Sequence, residues 1–307
     1  MTLLVLGDAH ASDPDRRESL LETYRAVDPD AVLHVGDLEC YDLPAPTWFV
    51  AGNNEDLDVI EYLRRKVGWD QSGEEDDANA VQTHLPGAEP ISGDEGAPTN
   101  EDAKAPSEGV AKTSAAECAE ASTDEGTTTP ETVDAEVRNV HLLASTAATV
   151  EGLRVAGLSG NYALTQHDRS RGDLEGDRRR HFTHEDVERA AELVDGDETG
   201  ERGGGDAGER DDGGDGEGEG TDEGEDIDVF LAHEAPLGLL SYGYDPGCEH
   251  VNRLLRDLSP SLCLVGHHHC HREAEIEGVR VVSLAPTWER YYTLEPETLR
   301  LEAHDPP

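Results

Sequence analysis

Apolar and polar positions alternate along the chain in blocks that predict strand, turn and helix in repeating order. Residues 2–6 (TLLVL) are a short aliphatic run that stops at Gly7, as a buried strand does. Residues 15–27 then place Leu20, Leu21, Tyr24 and Val27 at helical spacing, with Ser12 or Asp13 available as the cap and Pro14 as the start. A second buried strand, 31–35, ends at Gly36, and a third, 47–51, ends at Gly52, before a helix over 56–68. Further on, 139–144, 147–152 and 153–160 read as strands. Residues 184–193 read as a helix with Thr183 at its N-cap and Glu185 and Asp186 in its first turn. A strand at 227–233, a helix at 246–258 and a strand at 261–266 follow, and residues 272–302 read as β-hairpins. No internal repeat is visible. The alternation predicts an α/β domain with polar residues gathered at the carboxyl ends of its strands.

Two stretches break the pattern. Residues 70–135 are rich in Ala, Thr, Glu, Asp, Gly and Pro, and residues 195–226 are almost entirely Gly, Asp and Glu. Neither has enough apolar surface to offset the entropy of ordering it, so both are expected to be disordered. Patterned elements resume after each one. The expectation is therefore a single domain over 1–307 interrupted by acidic insertions at 70–135 and 195–226.

The formal net charge of -45 changes the picture of the surface. The two insertions carry about -15 and about -13 of it, which leaves about -17 on the patterned part. Lysine is confined to Lys66, Lys104 and Lys112. An acidic surface with few lysines suits concentrated salt, where repulsion is screened and carboxylates keep the protein hydrated. Halophile adaptation, as in a halophilic archaeon, is the leading expectation, and a mesophilic protein with two acidic interaction loops is the other. Nucleic acid is a partner the charge does not favour, because a basic run such as Arg178, Arg179 and Arg180 is short. The five cysteines show no CxxC spacing, which argues against a disulfide framework and a Cys-rich zinc site. No secretory signal opens the chain and no apolar run approaches about 18 residues, so a cytoplasmic protein without membrane contact is expected.

The candidate chemistry lies where the strands stop. The clusters 7-GDAH-10, 36-GDLE-39, 52-GNNE-55, 233-HEAP-236 and 266-GHHH-269 each follow a strand directly. One such cluster is explained by capping, but five together are not. Carboxylate, amide and imidazole donors suit divalent ions such as Mn, Fe or Zn. They are also what a two-metal hydrolytic centre needs, with one carboxylate between two ions about 3.5–4 Å apart.

The order GD-x-H, GD-x-x, GN-x-E, His, GH-x-H resembles the calcineurin-like metallophosphoesterase superfamily. The resemblance implies a four-layer αββα sandwich of the metallophosphoesterase type and a dinuclear phosphoesterase acting on phosphodiester or phosphomonoester bonds through a water between two divalent ions. Carried over by position, it implies Asp8, His10 and His269 at the first ion. It implies Asn53, His233 and His267 at the second, with Asp37 bridging. Asn54 stands where the superfamily usually has a histidine. An amide donates a hydrogen bond but delivers no proton at neutral pH, so good leaving groups suffer least, unless His181, His184 or His250 substitutes.

Residues 138–162 (RNVHLLASTAATVEGLRVAGLSGNY) look like the corresponding stretch of RNA lariat debranching enzymes, although that family commonly has Cys where Asp8 stands. In that frame Asn161 and Tyr162, with His184, are candidate substrate contacts; in the plainer one, GLSG is a strand ending in a tight turn. Glu39 and Glu55 either orient ligands or are solvated. Trp48, Trp69 and Trp288 read as packing residues, and Cys263 and Cys270 as small core or near-surface thiols. Near-extended chain at 267–269 would put His267 and His269 on one side and make His268 a spacer. The rival readings are a catalytically weak metal- or nucleotide-binding module and a nucleic-acid phosphodiesterase of the lariat-debranching type.

Overall fold

The computed structural model describes residues 2–67, 137–194 and 226–307, all within one compact unit. The stretches 70–135 and 195–226, apart from Asp226, lie outside the described residues, as does Trp69.

Two six-stranded sheets form the body. The first contains β1 (Leu3–Leu6), β2 (Ala31–His34), β3 (Asp42–Phe49), β4 (Arg138–Leu142), β11 (Tyr291–Glu295) and β12 (Arg300–His304), in the order β12-β11-β1-β2-β3-β4. The second contains β5 (Thr146–Val150), β6 (Leu153–Leu158), β7 (Val229–Ala232), β8 (Leu262–Val265), β9 (Arg272–Ile276) and β10 (Val279–Ser283), in the order β5-β6-β7-β8-β10-β9. In both sheets the central strands are parallel; antiparallel hairpin strands form both edges of the second sheet and one edge of the first, whose other edge, β4, is parallel to β3. The strands β1, β2, β7 and β8 are buried at every position, which is why their sequences are unbroken apolar runs.

Alternate residues of these strands point to different cores. Leu3, Val5, Leu33, Leu231 and Leu264 meet between the sheets. Leu4, Leu6 and Val32 pack instead under helices α1 (Pro14–Val27) and α2 (Leu57–Lys66), through Leu20, Tyr24, Val59, Ile60 and Leu63. Phe230, Ala232, Cys263 and Val265 pack under α3 (His184–Ala191) and α4 (Glu249–Leu258), through Val187, Val251, Leu254 and Leu255. Each sheet thus has helices on its outer face. Of the two candidate caps of α1, Asp13 is the one used, and it accepts the N–H groups of Asp15 and Arg16. No helix among the described residues is long and apolar enough to cross a membrane.

Two stretches depart from the sequence reading. β3 begins at Asp42 rather than 47, with Leu43, Ala45, Thr47 and Phe49 facing inward. Pro44 and Pro46 hide it, because proline cannot join a ladder, and the pairing with β4 shifts register between Asp42 and Thr47. Residues 164–180, given no structure by periodicity, form short helical turns at Leu164–His167, Arg171–Asp173 and Gly176–Arg180.

Candidate metal centre

The carboxyl ends of β1, β2, β3, β7 and β8 bring Asp8, His10, Asp37, Asn53, His233, His267 and His269 together. Asp8 is buried, and its Oδ2 accepts the His267 N–H at 2.9 Å and lies 2.9 Å from His269 Nε2. Burial alone would raise its pKa. The bond to His269, the charge of His233 and the His267 N–H outweigh burial and hold it below the ordinary carboxylate value. The same contact with Asp8 raises the pKa of His269, against burial.

Tautomers follow from the second nitrogen of each ring. His10 Nδ1 is 2.7 Å from Glu39 Oε1, and a carboxylate only accepts, so the Nδ1 carries the proton. Its Nε2 is then bare, 3.2 Å from His269 Nε2 and 3.7 Å from Asp37 Oδ2. His233, fully buried, donates from Nδ1 to the Val35 carbonyl at 2.9 Å. Its Nε2 faces Asn53 Oδ1 at 3.1 Å, His267 Nδ1 at 3.2 Å and Asp37 Oδ2 at 3.7 Å. Carboxylate, amide and imidazole donor atoms thus converge across both gaps within 3.1–3.7 Å, an arrangement that a metal ion can satisfy.

Glycine is required beside the ligands. A Cβ on Gly36, at φ +111°, would sit 2.2 Å from His233 Nδ1, and one on Gly52 would sit 2.1 Å from Asp37 Oδ1. The imidazole and the carboxylate occupy the space a side chain would take.

Glu39 and Glu55, open to two readings in the sequence, have different tasks. Glu39 orients His10 and accepts the Ser12 hydroxyl. Glu55 is buried and shapes the loop after Asp37, accepting the N–H groups of Leu38 at 2.9 Å and Glu39 at 3.0 Å and the Tyr41 hydroxyl at 2.6 Å. Glu39→Gln is expected to weaken ion binding at the Asp8–His10–His269 set about 10–100-fold with the fold intact. Zinc titration checks this, and an unchanged affinity would remove Glu39 from the centre.

His34, buried behind the ligands, accepts the Gly36 N–H at 3.2 Å. Burial pushes its pKa from 6.5 to about 4, against the pull of Asp8 and Asp37. The folded state therefore keeps it neutral where the unfolded chain protonates it. Between these two values the unfolded state binds more protons, so stability falls as pH is lowered through that window. The expected loss is about 2 kcal/mol by about pH 5. Urea denaturation of the ion-free protein and of His34→Gln measures it, and the same pH dependence in both would clear His34.

The remaining sequence candidates lie elsewhere or act differently. Asn54 donates its backbone N–H to Asp37 Oδ1 and its side-chain amide to Asp37 Oδ2, both at 2.8 Å. Tyr162 gives its N–H to Glu234 Oε2 at 3.0 Å, and Asn161 pairs through its backbone with His181. His184 is exposed at the start of α3, 3.4 Å from Glu188, and the structure does not bring it to the ion ligands. His250 stacks on His167 with ring centroids 3.9 Å apart. Trp288, read as packing, stands at the centre's edge, 5.5 Å from the His269 ring and 5.8 Å from the His10 ring.

His268 departs from the extended-chain expectation. His267 and His269 have φ of +69° and +49°, so the segment is turned, not extended. His268 is not a spacer pointing away: donor atoms of Glu234, His267 and His268 lie within 4.8 Å of one another. Strand-end patterning singles out neither Glu234 nor His268 as a donor. The available signal was a carboxylate directly after His233.

No known family's profile matches the chain, and no curated protein matches it. Solved structures do. One aligns over 100% of this chain and 99% of its own length at 14% identity, with a TM-score of 0.53. The protein TT1561 of Thermus thermophilus aligns over 100% of this chain and 99% of its own at 15% identity, with a TM-score of 0.50. At such identities the likeness is one of fold.

Proposed function

We propose that this chain is a dinuclear metal-dependent phosphoesterase of the calcineurin-like metallophosphoesterase type, hydrolysing phosphodiester or phosphomonoester bonds. The observation that carries this reading is the position of Asp37 Oδ2, 3.7 Å from the Nε2 of His10 and 3.7 Å from that of His233. A carboxylate so placed is shared by two donor sets, Asp8–His10–His269 on one side and Asn53–His233–His267 on the other. Two sheets with helices on their outer faces suit the four-layer sandwich of that superfamily.

Bound there, divalent ions supply Lewis acidity and a water of lowered pKa. The chain's own part is to hold and orient. Glu39 and the Val35 carbonyl fix the tautomers of His10 and His233, and Asn54 holds both oxygens of Asp37. Arg16 lies over the Trp288 ring, 4.1 Å from its centroid, and that ring stands beside His10 and His269, which suits the guanidinium to a phosphoryl group held there. A cleft of about 710 Å³ next to Asn54 and Glu39, with Arg17 on its wall, gives room for the organic part of the ester. Because the Asn54 amide is engaged with Asp37 and carries no acidic proton, esters with good leaving groups are the expected substrates.

The test is turnover of bis(p-nitrophenyl) phosphate and p-nitrophenyl phosphate in molar KCl with added Mn²⁺. Turnover should disappear on chelation and return with the ion. A protein that binds two ions and shows no rate above buffer would replace the enzyme reading with that of a metal-binding module.

A further inference from the structure

Two side chains beside the second donor set have no part in the reading above. Glu234 follows His233 at the end of β7, is 7% exposed, and accepts one hydrogen bond, from the Tyr162 N–H at 3.0 Å. His268 follows His267 after β8, and its Nε2 is buried with no hydrogen-bond partner among the described residues. β7 and β8 are paired neighbours, with Ala232 opposite Val265, so the residues beyond them leave the sheet side by side.

The backbone is bent to bring these groups together. The His268 N–H donates to the Gly266 carbonyl at 2.8 Å, which closes a γ-turn around His267 at φ +69°. Positive-φ γ-turns are strained, and such strain costs about 1–3 kcal/mol. The result is one carboxylate and two imidazoles with donor atoms within 4.8 Å of one another. Zinc and its neighbours favour that donor set.

A neutral imidazole has a single lone pair, so His267 serves either the Asn53–His233 set or the Glu234–His268 set, not both at once. We propose that Glu234, His267 and His268 form a second resting place for the second ion, which moves between two positions that share His267. The ion on Asp8, His10 and His269 stays where it is. When the second ion sits on Glu234, Asp37 faces one ion only, and the paired centre is open.

This inference rests on the two-ion reading, and counting bound ions separates the two. Equilibrium dialysis against Zn²⁺ in molar KCl, followed by elemental analysis, should find two ions in the native chain. It should also find two in Asn53→Ala, and one when Glu234→Gln and His268→Asn are added to Asn53→Ala. A native chain with a single ion overturns the two-ion reading and this inference together. Two ions in the native chain with one in Asn53→Ala overturns this inference alone, and so do two ions in the triple variant. If the triple variant does not fold, Glu234→Gln with His268→Asn in the native background decides. The native affinity for the second ion sums over both positions, so removing one of two equally occupied positions should weaken it about twofold. An unchanged affinity overturns the proposal.

Discussion

Asp37→Asn is expected to unseat the second ion from the Asn53–His233–His267 position and to lower turnover by about 10³-fold or more, while the fold survives. The size of the effect follows from two losses that coincide. The negative charge shared by the two donor sets disappears, and it alone lies 3.7 Å from both His10 Nε2 and His233 Nε2. The amide also cannot replace the carboxylate's hydrogen bonds. Asp37 accepts from Asn54 with both oxygens, and an asparagine has one oxygen to offer. Its NH2 group would be turned against an Asn54 donor, at a cost of about 1–3 kcal/mol. Elemental analysis and turnover of the p-nitrophenyl esters check the two halves separately. Persistence of both ions when Asp37→Asn is combined with Glu234→Gln and His268→Asn would show that Asp37 does not bridge.

Asp186→Ala is expected to cost about 3–5 kcal/mol of stability. Asp186 is buried at the start of α3, where its Oδ2 accepts from Arg171 Nη2 at 2.5 Å and from the Thr183 N–H at 2.7 Å. Its Oδ1 faces Arg64 of α2 at 3.6 Å. Arg64 and Arg171 are both buried as well, and burial lowers the Arg64 pKa from 12.5 to about 10. Removing the carboxylate leaves two buried guanidiniums short of their common counter-charge and opens the capping box of α3. Since α2 packs on the first sheet and α3 on the second, the pairs tie one helical face to the other. Urea denaturation should show Asp186→Asn between the native protein and Asp186→Ala, with little dependence on salt because the groups are buried. A loss below about 1 kcal/mol would mean that the guanidiniums find water instead.

Most of this architecture could be read from the chain because parallel strands buried on both faces leave unmistakable apolar runs. The centre was legible for a related reason: each of those runs stops at a glycine followed by a donor residue, or directly at the donor in the case of His233. β3 was read short because Pro44 and Pro46 broke the run without ending the strand. The Asp186 network was invisible, since Arg64, Arg171 and Asp186 meet only through the tertiary fold and no local period joins them. His268 was misplaced because periodicity assumes one backbone conformation, whereas His267 is left-handed. The roles of Glu39 and Glu55 rest on loop contacts that a strand-by-strand reading does not resolve.

The left-handed backbone at the centre has a consequence for how this protein responds to selection. His10, Asp37, Glu39, His267 and His269 all have φ between +47° and +69°. Each such conformation costs a residue with a side chain about 1–2 kcal/mol that glycine would not incur. Selection for heat resistance alone would therefore reward replacing these residues first. Stabilised descendants chosen without an assay of this site would be sturdier proteins that had lost its candidate donor set.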